Sequence, residues 1–317
     1  MKNKLLSIFL TALIILLPLC GCTAPAAVKD GITVVCSIFV PYDFARQIAG
    51  DKANVVMLLP AGVESHSYEP TPSDIITIEN ADLFLFVSEH TETWVPQLVS
   101  SLEKNQVKCV DMADALEIEV HDHDHEHGEE HEEHEHEHEE HEIDEHIWTN
   151  LETAVQMVRL TADEISSADP DNAEYYKANA DSYAEKILAL RDDFNSLTAS
   201  AKRTEIVSGS RFAMKNFTEE FELRYTAAFD SCVDNTEPSA GVMAKIIDKI
   251  NEDRIPVIFY EELTEPKIAR AVSSETGAKM LLLHSCHNIS ASELKAGASY
   301  LSLMTQNYIN LKEALNG

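Results

Sequence analysis

The sequence predicts an α/β protein with two lobes, each holding a parallel β-sheet flanked by helices, joined by one long backbone helix. Short apolar runs of the buried-strand type alternate with helical patterns, as they do in parallel sheets. The alternation begins near residue 31 and begins again near residue 202. Between the two series, residues 171–201 carry one apolar stripe at helical spacing. We therefore expect a first lobe at 31–170, a linking helix at 171–201 and a second lobe at 202–317.

The first lobe is predicted to alternate strands with helices from its start. Gly50 and Pro60 end two of the segments, since glycine and proline interrupt regular structure. Thr71 precedes a proline and opens the next helix. The predicted strands are 32–39, 54–59, 83–87 and 106–110, and the predicted helices are 42–49, 71–80 and 151–166.

The segment that follows Asp169-Pro170 is predicted to be the longest helix of the chain. About 29 residues at 1.5 Å each span roughly 43 Å, the length of a whole domain, so we expect this helix to run past both lobes. Its apolar stripe has spacings of four and three residues: Tyr176, Ala180, Tyr183, Ile187, Leu190, Phe194 and Leu197.

The second lobe is predicted to repeat the alternation. Its strands are expected at 205–209, 225–229, 255–260 and 279–283, and its helices near 217–221, at 239–251 and at 292–315. The segment at 236–238, TEP, provides a capped start for the second of these helices. Because parallel sheets bind ligands at the loops beyond the carboxyl ends of their strands, residues directly after these strands are candidate site residues.

The N-terminal segment has the features of a lipoprotein signal. Lys2 and Lys4 precede an apolar run at 5–19, which is shorter than the about 20 residues of a membrane span. Residues 19–22, LCGC, resemble the bacterial lipobox, with Cys22 as the lipidated residue after cleavage. We expect a signal peptide at 1–21, a tether at 22–30 and extracytoplasmic anchoring to the cell membrane by acyl chains. Secretion with Cys22 free is the alternative.

The chain has a formal charge of −31, from 55 acidic and 24 basic residues. Nucleic acid is excluded as a partner, because its binding depends on clustered Lys and Arg. Residues 119–143 form a His-rich acidic loop that we expect to be disordered, since 121–141 contains no apolar residue. A solvated linker is the alternative to weak, multi-site zinc binding by its histidines. These nine residues are His121, His123, His125, His127, His131, His134, His136, His138 and His141.

Two histidines of the first lobe are candidate metal ligands. His66 lies in a polar loop after the strand at 54–59, at the ligand-binding edge, although a lone loop histidine is usually a surface residue. His146 lies beside Trp148, where the acidic loop gives way to an apolar segment, which predicts burial. A buried neutral imidazole needs a metal or a hydrogen-bond partner.

The second lobe supplies further candidates directly after its strands. His284 follows the strand at 279–283 and is either a ligand or a hydrogen-bonded core residue; His287 lies one turn further. Glu261 follows the strand at 255–260. It is a fourth ligand, a carboxylate that orients a ligand histidine, or a solvated loop residue. His90 lies among polar residues and is predicted to be a surface residue.

These segments resemble the cluster A-I solute-binding lipoproteins of bacterial zinc and manganese ABC importers, over essentially the whole mature chain. GVESHSYEP at 62–70 matches the first ligand loop of that family and implies His66 as a ligand. DEHIWTNLETA at 144–154 matches its second ligand segment and implies His146. The His-rich insertion before it is typical of zinc members. TEPS at 236–239 and YLSLM at 300–304 match landmarks of the second lobe.

One segment departs from the family pattern. SRFAMKNF at 210–217 occupies the place of the third ligand segment, so Arg211 stands where the family has a histidine. A guanidinium is always protonated and does not bind zinc. The resemblance aligns the family's fourth ligand position with His284. We therefore expect His284 to replace the missing nitrogen, and Arg211 to pair with Glu261 or Glu237.

The predicted ligand set is thus His66, His146 and His284, with His287 and Glu261 as further candidates for metal contact or for support of the ligands. Three imidazoles favour zinc, whereas manganese prefers a carboxylate-rich set. Three histidines plus water also describe a hydrolytic zinc site, but no general base stands at a spacing such as His-Glu-x-x-His. We expect no enzymatic activity.

The resemblance implies a monomeric, lipid-anchored protein that captures Zn(II) in the cleft between the lobes. It implies delivery of this metal to an ABC permease and its cytoplasmic ATPase. A manganese-binding homologue is one alternative. A surface zinc scavenger or adhesin without a direct role in transport is the other.

Zinc members of the family often carry a disulfide in the second lobe, which implies a bond between Cys232 and Cys286. A Cys286 thiolate that binds the metal is the alternative. Cys36 and Cys109 fall in strands that are not expected to be neighbours. We predict both to be free and buried.

Overall fold

The computed structural model describes residues 31–65, 68–102, 107–118, 145–229 and 239–317 of the 317-residue chain. The first half contains four short parallel strands. They are β1 (Thr33–Cys36), β2 (Asn54–Met57), β3 (Leu83–Phe86) and β4 (Lys108–Asp111), in the sheet order β2-β1-β3-β4. The side chains of β3 are all buried, which explains its continuous apolar run.

Helices cover this first sheet and connect its strands. They are α1 (Phe39–Ala49), α2 (Pro72–Glu79), α3 (Val95–Leu102), α4 (Met112–Ala115) and, after a 3₁₀ turn at Ile147–Thr149, α5 (Leu151–Ala168). Thr71 caps α2 as predicted: its side chain accepts from the backbone N–H of Asp74, whose carboxylate accepts from Thr71 in return. Asn150 caps α5 through a single bond, in which its side-chain oxygen accepts from the N–H of Thr153.

The long helix α6 (Ala173–Ala199) has 27 residues and is therefore about 40 Å long. Its predicted apolar stripe is buried along its full length, from Tyr176 to Leu197. Among its polar contacts, two join it to helices of the two halves. The Tyr183 hydroxyl donates to the buried carboxylate of Asp43 on α1 at 2.8 Å, and Arg191 pairs with Glu220 at 2.6 Å.

The second half repeats the arrangement of the first. Its strands are β5 (Glu205–Ser208), β6 (Arg224–Ala227), β7 (Val257–Tyr260) and β8 (Lys279–Leu282), in the parallel order β6-β5-β7-β8. Its first helices are α7 (Lys215–Glu220), α8 (Ala240–Asp253) and α9 (Lys267–Thr276). The predicted fold class, two parallel sheets with flanking helices and one long helix between them, is confirmed.

The predicted single helix at 292–315 is wrong, because two helices occupy this stretch. They are α10 (Ala291–Ala296) and α11 (Tyr300–Asn316). Gly297 ends α10 with φ of +76°, a left-handed conformation that glycine adopts without strain. Ser299 then starts α11 through a capping box with Ser302.

The start of α11 connects the two halves. The backbone N–H of Tyr300 donates to Asp43 at 2.8 Å, so that one buried carboxylate joins α1, α6 and α11. The Tyr300 hydroxyl donates to the carbonyl of Trp148 at 2.7 Å. Both side chains belong to the largest hydrophobic cluster, which contains core residues of both halves. These buried contacts hold in place the edges of the two sheets at which the strands end.

Candidate metal centre

A cavity of about 110 Å³ lies where the loops after β2, β5, β7 and β8 meet. These loops follow the carboxyl ends of parallel strands, which is the edge at which the sequence predicted a site. Imidazole, carboxylate and guanidinium groups line the cavity: His146, His287, Glu64, Glu261, Glu262 and Arg211.

His146 is fixed by the turn that follows it. Its side chain is 1% exposed, and its carbonyl accepts from the hydroxyl of Thr149 at 2.8 Å. The indole N–H of Trp148 donates to the carbonyl of Ser285 at 2.7 Å. Because Ile147 and Trp148 are buried beside it, His146 is held at the cavity wall rather than on the surface.

His287 reaches the same wall from the second half of the chain. Its Nδ1 lies 3.1 Å from the Nε2 of His146, and the ring centroids are 5.0 Å apart with near-perpendicular planes. The ring of Trp148 packs edge-on against both imidazoles, with centroids 5.2 Å from each. The structure therefore brings one nitrogen of each half into direct proximity.

His284, the predicted third ligand, lies elsewhere. Its side chain is 2% exposed, and its Nδ1 accepts from the backbone N–H of Cys286 at 2.9 Å. Its Nε2 is buried without a hydrogen-bond partner among the described residues and lies 3.8 Å from a carboxylate oxygen of Glu293. The amide of Asn307 bonds both the N–H and the carbonyl of His284 at 2.8 Å. The structure thus places His284 outside the lining of the cavity, hydrogen-bonded to Cys286 and Asn307, and its predicted ligand role stays a prediction.

The turn at Cys286 separates the two histidines of this loop. Its backbone has φ of +63°, a left-handed conformation that reverses the direction of the chain between positions 284 and 287. His284 therefore points into the core while His287 points into the cavity.

His66 lies outside the described residues, and Ser65, directly before it in the chain, lines the cavity. The side-chain amide of Asn288 donates to the carbonyls of Pro60 and Val63 at 2.9 and 2.8 Å. The backbone N–H of Gly62 donates to the carbonyl of Ile289 at 2.8 Å. The loop of His66 is thus bonded directly to the loop of His287.

Arg211 takes part in an ion-pair bridge across the cavity. Its Nε lies 3.2 Å from Oε1 of Glu261, which is one of its two predicted partners. Its Nη2 lies 3.0 Å from Oε2 of Glu64. The other predicted partner, Glu237, lies outside the described residues. Burial raises the pKa of Glu261, and the positive charge of Arg211 opposes this rise.

The identity of the chain follows from its match to known proteins. Residues 34–314 match the family described as zinc-uptake complex component A, periplasmic (ZnuA). The chain belongs to this family. The match covers both sheets, α6 and every loop that lines the cavity.

Two relatives of the ZnuA family illustrate the similarity. The chain is 34% identical over 286 residues to the high-affinity zinc uptake system protein ZnuA of Bacillus subtilis, covering 90% of this chain and 88% of that protein. It is 31% identical over 310 residues to the zinc-binding lipoprotein AdcA of Streptococcus pneumoniae. That alignment covers 98% of this chain but 61% of the relative, so the chain spans about three fifths of the length of AdcA.

Solved structures of such proteins share the fold. The Zn(II)-bound ZnuA-like domain of Streptococcus pneumoniae AdcA superposes with a TM-score of 0.74 at 28% identity, covering 90% of this chain and 100% of that domain. The metal-dependent lipoprotein YcdH of Bacillus subtilis gives a TM-score of 0.74 at 30% identity, covering 90% of this chain and 99% of that one.

The cysteines depart in part from the predictions. Cys286 is a free, completely buried thiol, which runs against the predicted disulfide with Cys232, a residue outside the described ones. Its sulfur lies 3.9 Å from the carbonyl of His284, in the core rather than at the cavity, so the thiolate alternative has no geometric support. Cys36 is free and buried as predicted. Cys109 is free but only half-buried.

Several predicted features lie outside the described residues: the signal peptide and tether with Cys22, and the loop that carries the nine clustered histidines. Their roles stay predictions. In the part of the chain that is described, no helix is long and apolar enough to cross a membrane. In the same part, no three His, Cys, Asp or Glu side chains form a complete metal cluster. His90 is exposed, as predicted.

Sequence reasoning missed two residues that build the site. Glu64 was visible two positions before His66, and Asn288 directly after His287. Their roles depend on partners about 147 and 225 positions away in the chain, at Arg211 and Val63. Spacing along the sequence gives no signal for such contacts.

Proposed function

We propose that this chain is the binding component of a zinc importer, which captures Zn²⁺ at the cavity between its two sheets. One observation carries the proposal: the 3.1 Å separation of His146 Nε2 and His287 Nδ1. Two nitrogens bound to one tetrahedral zinc at about 2.0–2.1 Å each lie about 3.3 Å apart. The two imidazoles, contributed by opposite halves of the chain, lie within hydrogen-bond distance of each other, a separation close to that of two zinc ligands.

The proposed ligands are His146, His287 and His66. Support for His66 comes from the residues before it: Ser65 lines the cavity, and the segment 60–63 is hydrogen-bonded to Asn288 and Ile289 beside His287. Three imidazole nitrogens with a fourth, open position suit zinc, a borderline metal that accepts nitrogen donors. Glu261 pairs with Arg211 and supports the site rather than completing it.

The arrangement favours capture by loops over closure of domains. The long helix α6 and the buried carboxylate of Asp43 connect elements of both halves, so that a hinge between the halves would break buried hydrogen bonds. We infer that metal binding orders the loops around the cavity and leaves the two sheets in place.

The remaining parts of the proposal concern the cellular setting. Cys22 would carry the acyl chains that hold the protein outside the cytoplasm on the membrane, and an ABC permease with its ATPase would receive the zinc. The His-rich loop would collect zinc weakly beside the cavity. We propose a monomer that binds and releases its ion without catalysis. Family membership supports this setting. Two experiments distinguish it from the alternatives, a manganese-binding protein and an adhesin.

Calorimetry on metal-stripped protein tests the proposal. Zn²⁺ should bind at one tight site and outcompete Mn²⁺, and His146→Ala and His287→Ala should each remove that site. His90→Ala is the matched control, since it deletes an exposed imidazole at a distance from the cavity. Preferential tight binding of Mn²⁺, or a tight zinc site that survives both substitutions, would overturn the proposed function.

Transport needs a second test in the producing cell. Cells without the chain should grow poorly only in zinc-depleted medium, and the wild-type chain should restore growth. A chain with both His146→Ala and His287→Ala should not restore it. Full growth of the cells without the chain, together with lost binding to host surfaces, would favour the adhesin alternative.

A further inference from the structure

Arg211 occupies a surprising position for a residue in a cation site. Its side chain lines the same cavity as His146 and His287, and it is only 17% exposed. A fixed positive charge at such a place opposes the binding of any cation by simple electrostatics. Its presence therefore calls for a function that outweighs this cost.

The contacts of Arg211 indicate what that function is. The guanidinium lies 3.0 Å from a carboxylate oxygen of Glu64 and 3.2 Å from one of Glu261. The first carboxylate comes from the loop after β2 and the second from the end of β7. Both line the cavity, and both would be hard, anionic oxygen donors for a metal in the absence of the guanidinium.

The chemistry of the donors decides which cation gains from each arrangement. Imidazole nitrogens suit zinc, while carboxylate oxygens suit Mn²⁺, Mg²⁺ and Ca²⁺. A site that offers neutral nitrogens and withholds its carboxylates binds zinc through directional bonds. The same site offers little to a hard cation, which depends on negative charge.

We propose that Arg211 is a specificity-determining residue of this site. It holds the carboxylates of Glu64 and Glu261 in ion pairs within the cavity that His146 and His287 also line, so that these oxygens are withheld from hard divalent cations while zinc binds through the imidazoles. This inference rests on the proposed zinc site at His146 and His287. It assigns a role to the residue that replaces a ligand histidine in the family pattern.

A purely structural role makes a different prediction. Arg211 also connects the loop after β2 with the end of β7, and a tether of this kind would affect every metal alike. The ratio of the Mn²⁺ to the Zn²⁺ association constant separates the two roles, because loss of a tether lowers both constants and leaves their ratio unchanged.

The experiment titrates Zn²⁺ and Mn²⁺ into the metal-stripped protein by calorimetry. Arg211→Met keeps the length and much of the volume of the side chain and removes the charge. It should raise the Mn²⁺ to Zn²⁺ ratio by on the order of tenfold or more. Arg211→Gln is a second uncharged variant in case Arg211→Met does not fold. Arg211→Lys keeps the charge and should keep the ratio close to that of the wild type.

The triple variant Arg211→Met, Glu64→Gln, Glu261→Gln identifies the donors. Removing both carboxylates should return the ratio to the wild-type value. An unchanged ratio in both uncharged variants would overturn the inference, as would a raised ratio that persists in the triple variant. If the wild type itself has no tight zinc site, the proposed function fails. If the wild type binds zinc tightly but the ratio of the Mn²⁺ to the Zn²⁺ association constant does not change in the variants, only the role of Arg211 is refuted.

Discussion

Trp148 connects the two halves of the chain behind the proposed zinc ligands, and its replacement by Phe is the most informative change of the scaffold. The indole N–H donates to the carbonyl of Ser285 at 2.7 Å, and the ring packs against His146 and His287. Phenylalanine keeps an aromatic ring but removes the donor and part of the volume. The substitution therefore tests how far this buried contact stabilises the protein and aligns the ligands.

The expected loss has two components. The carbonyl of Ser285, in a residue that is 5% exposed, loses its donor, which costs about 1–3 kcal/mol. The smaller ring leaves a gap of roughly 40 Å³, which at about 24 cal/mol per Å³ costs about 1 kcal/mol. The free energy of unfolding should therefore fall by about 2–4 kcal/mol. Zinc affinity should fall on the order of tenfold, as for other residues that orient metal ligands.

Urea denaturation of the metal-stripped protein, followed by circular dichroism, measures the first quantity, and zinc calorimetry measures the second. Trp94→Phe is the matched control, because Trp94 packs against Tyr68 with ring centroids 5.6 Å apart, within a separate cluster of the first half. It should lower stability slightly and leave zinc affinity unchanged. A loss of stability below about 1 kcal/mol in Trp148→Phe, or equal effects of both variants on zinc, would refute this reasoning.

Three further predictions concern other parts of the chain. His284→Ala should lower the free energy of unfolding by about 1–3 kcal/mol in denaturation experiments, because it leaves the buried N–H of Cys286 without an acceptor. The variant should keep the tight zinc site. Loss of that site in a folded variant would show that His284 is a ligand. Deletion of residues 121–141 should leave one tight site in zinc calorimetry and remove the weak ones; loss of the tight site would place it in the His-rich loop. Burial raises the pKa of Glu92 from 4.5 to about 7, so the folded state holds this proton more strongly than the unfolded state does. The contribution of Glu92 to stability should accordingly be fully present below pH 4.5 and fall by about 3 kcal/mol as the pH rises to about 7. Denaturation at a series of pH values should show this fall in the wild type relative to Glu92→Gln.

The sequence was sufficient for the repeated α/β pattern, because short apolar runs such as those of β1, β3 and β7 recur between helical segments. It was insufficient for α9, in which only two of ten residues, Ala269 and Val272, are buried, so that the apolar face is small. The sequence pattern also predicted one helix where the structure has two, α10 and α11. The signals at Gly297 and Ser299 were present but were outweighed by the helical character of the residues on both sides.

The sequence predicted the site at the carboxyl ends of the strands, where the cavity lies; His146 lines this cavity and His284 does not, and the ligand roles of both stay predictions. The sequence places His284 and His287 three positions apart after the same strand, and both are compatible with a ligand role. Their difference is decided by the left-handed backbone at Cys286 and by the bonds from Asn307, which lies 23 positions further along the chain. Contacts of this range depend on the folded packing and leave no local pattern.

The most direct test of the account is an anomalous difference map at the zinc edge from crystals of the protein soaked in Zn²⁺. The account predicts one strong peak in the cavity, about 2.0–2.1 Å from Nε2 of His146 and from Nδ1 of His287, with His66 as the third ligand. It also predicts that Arg211 keeps its ion pairs with Glu64 and Glu261. A peak bonded to His284, or one held by the two carboxylates with His287 turned away, would contradict it.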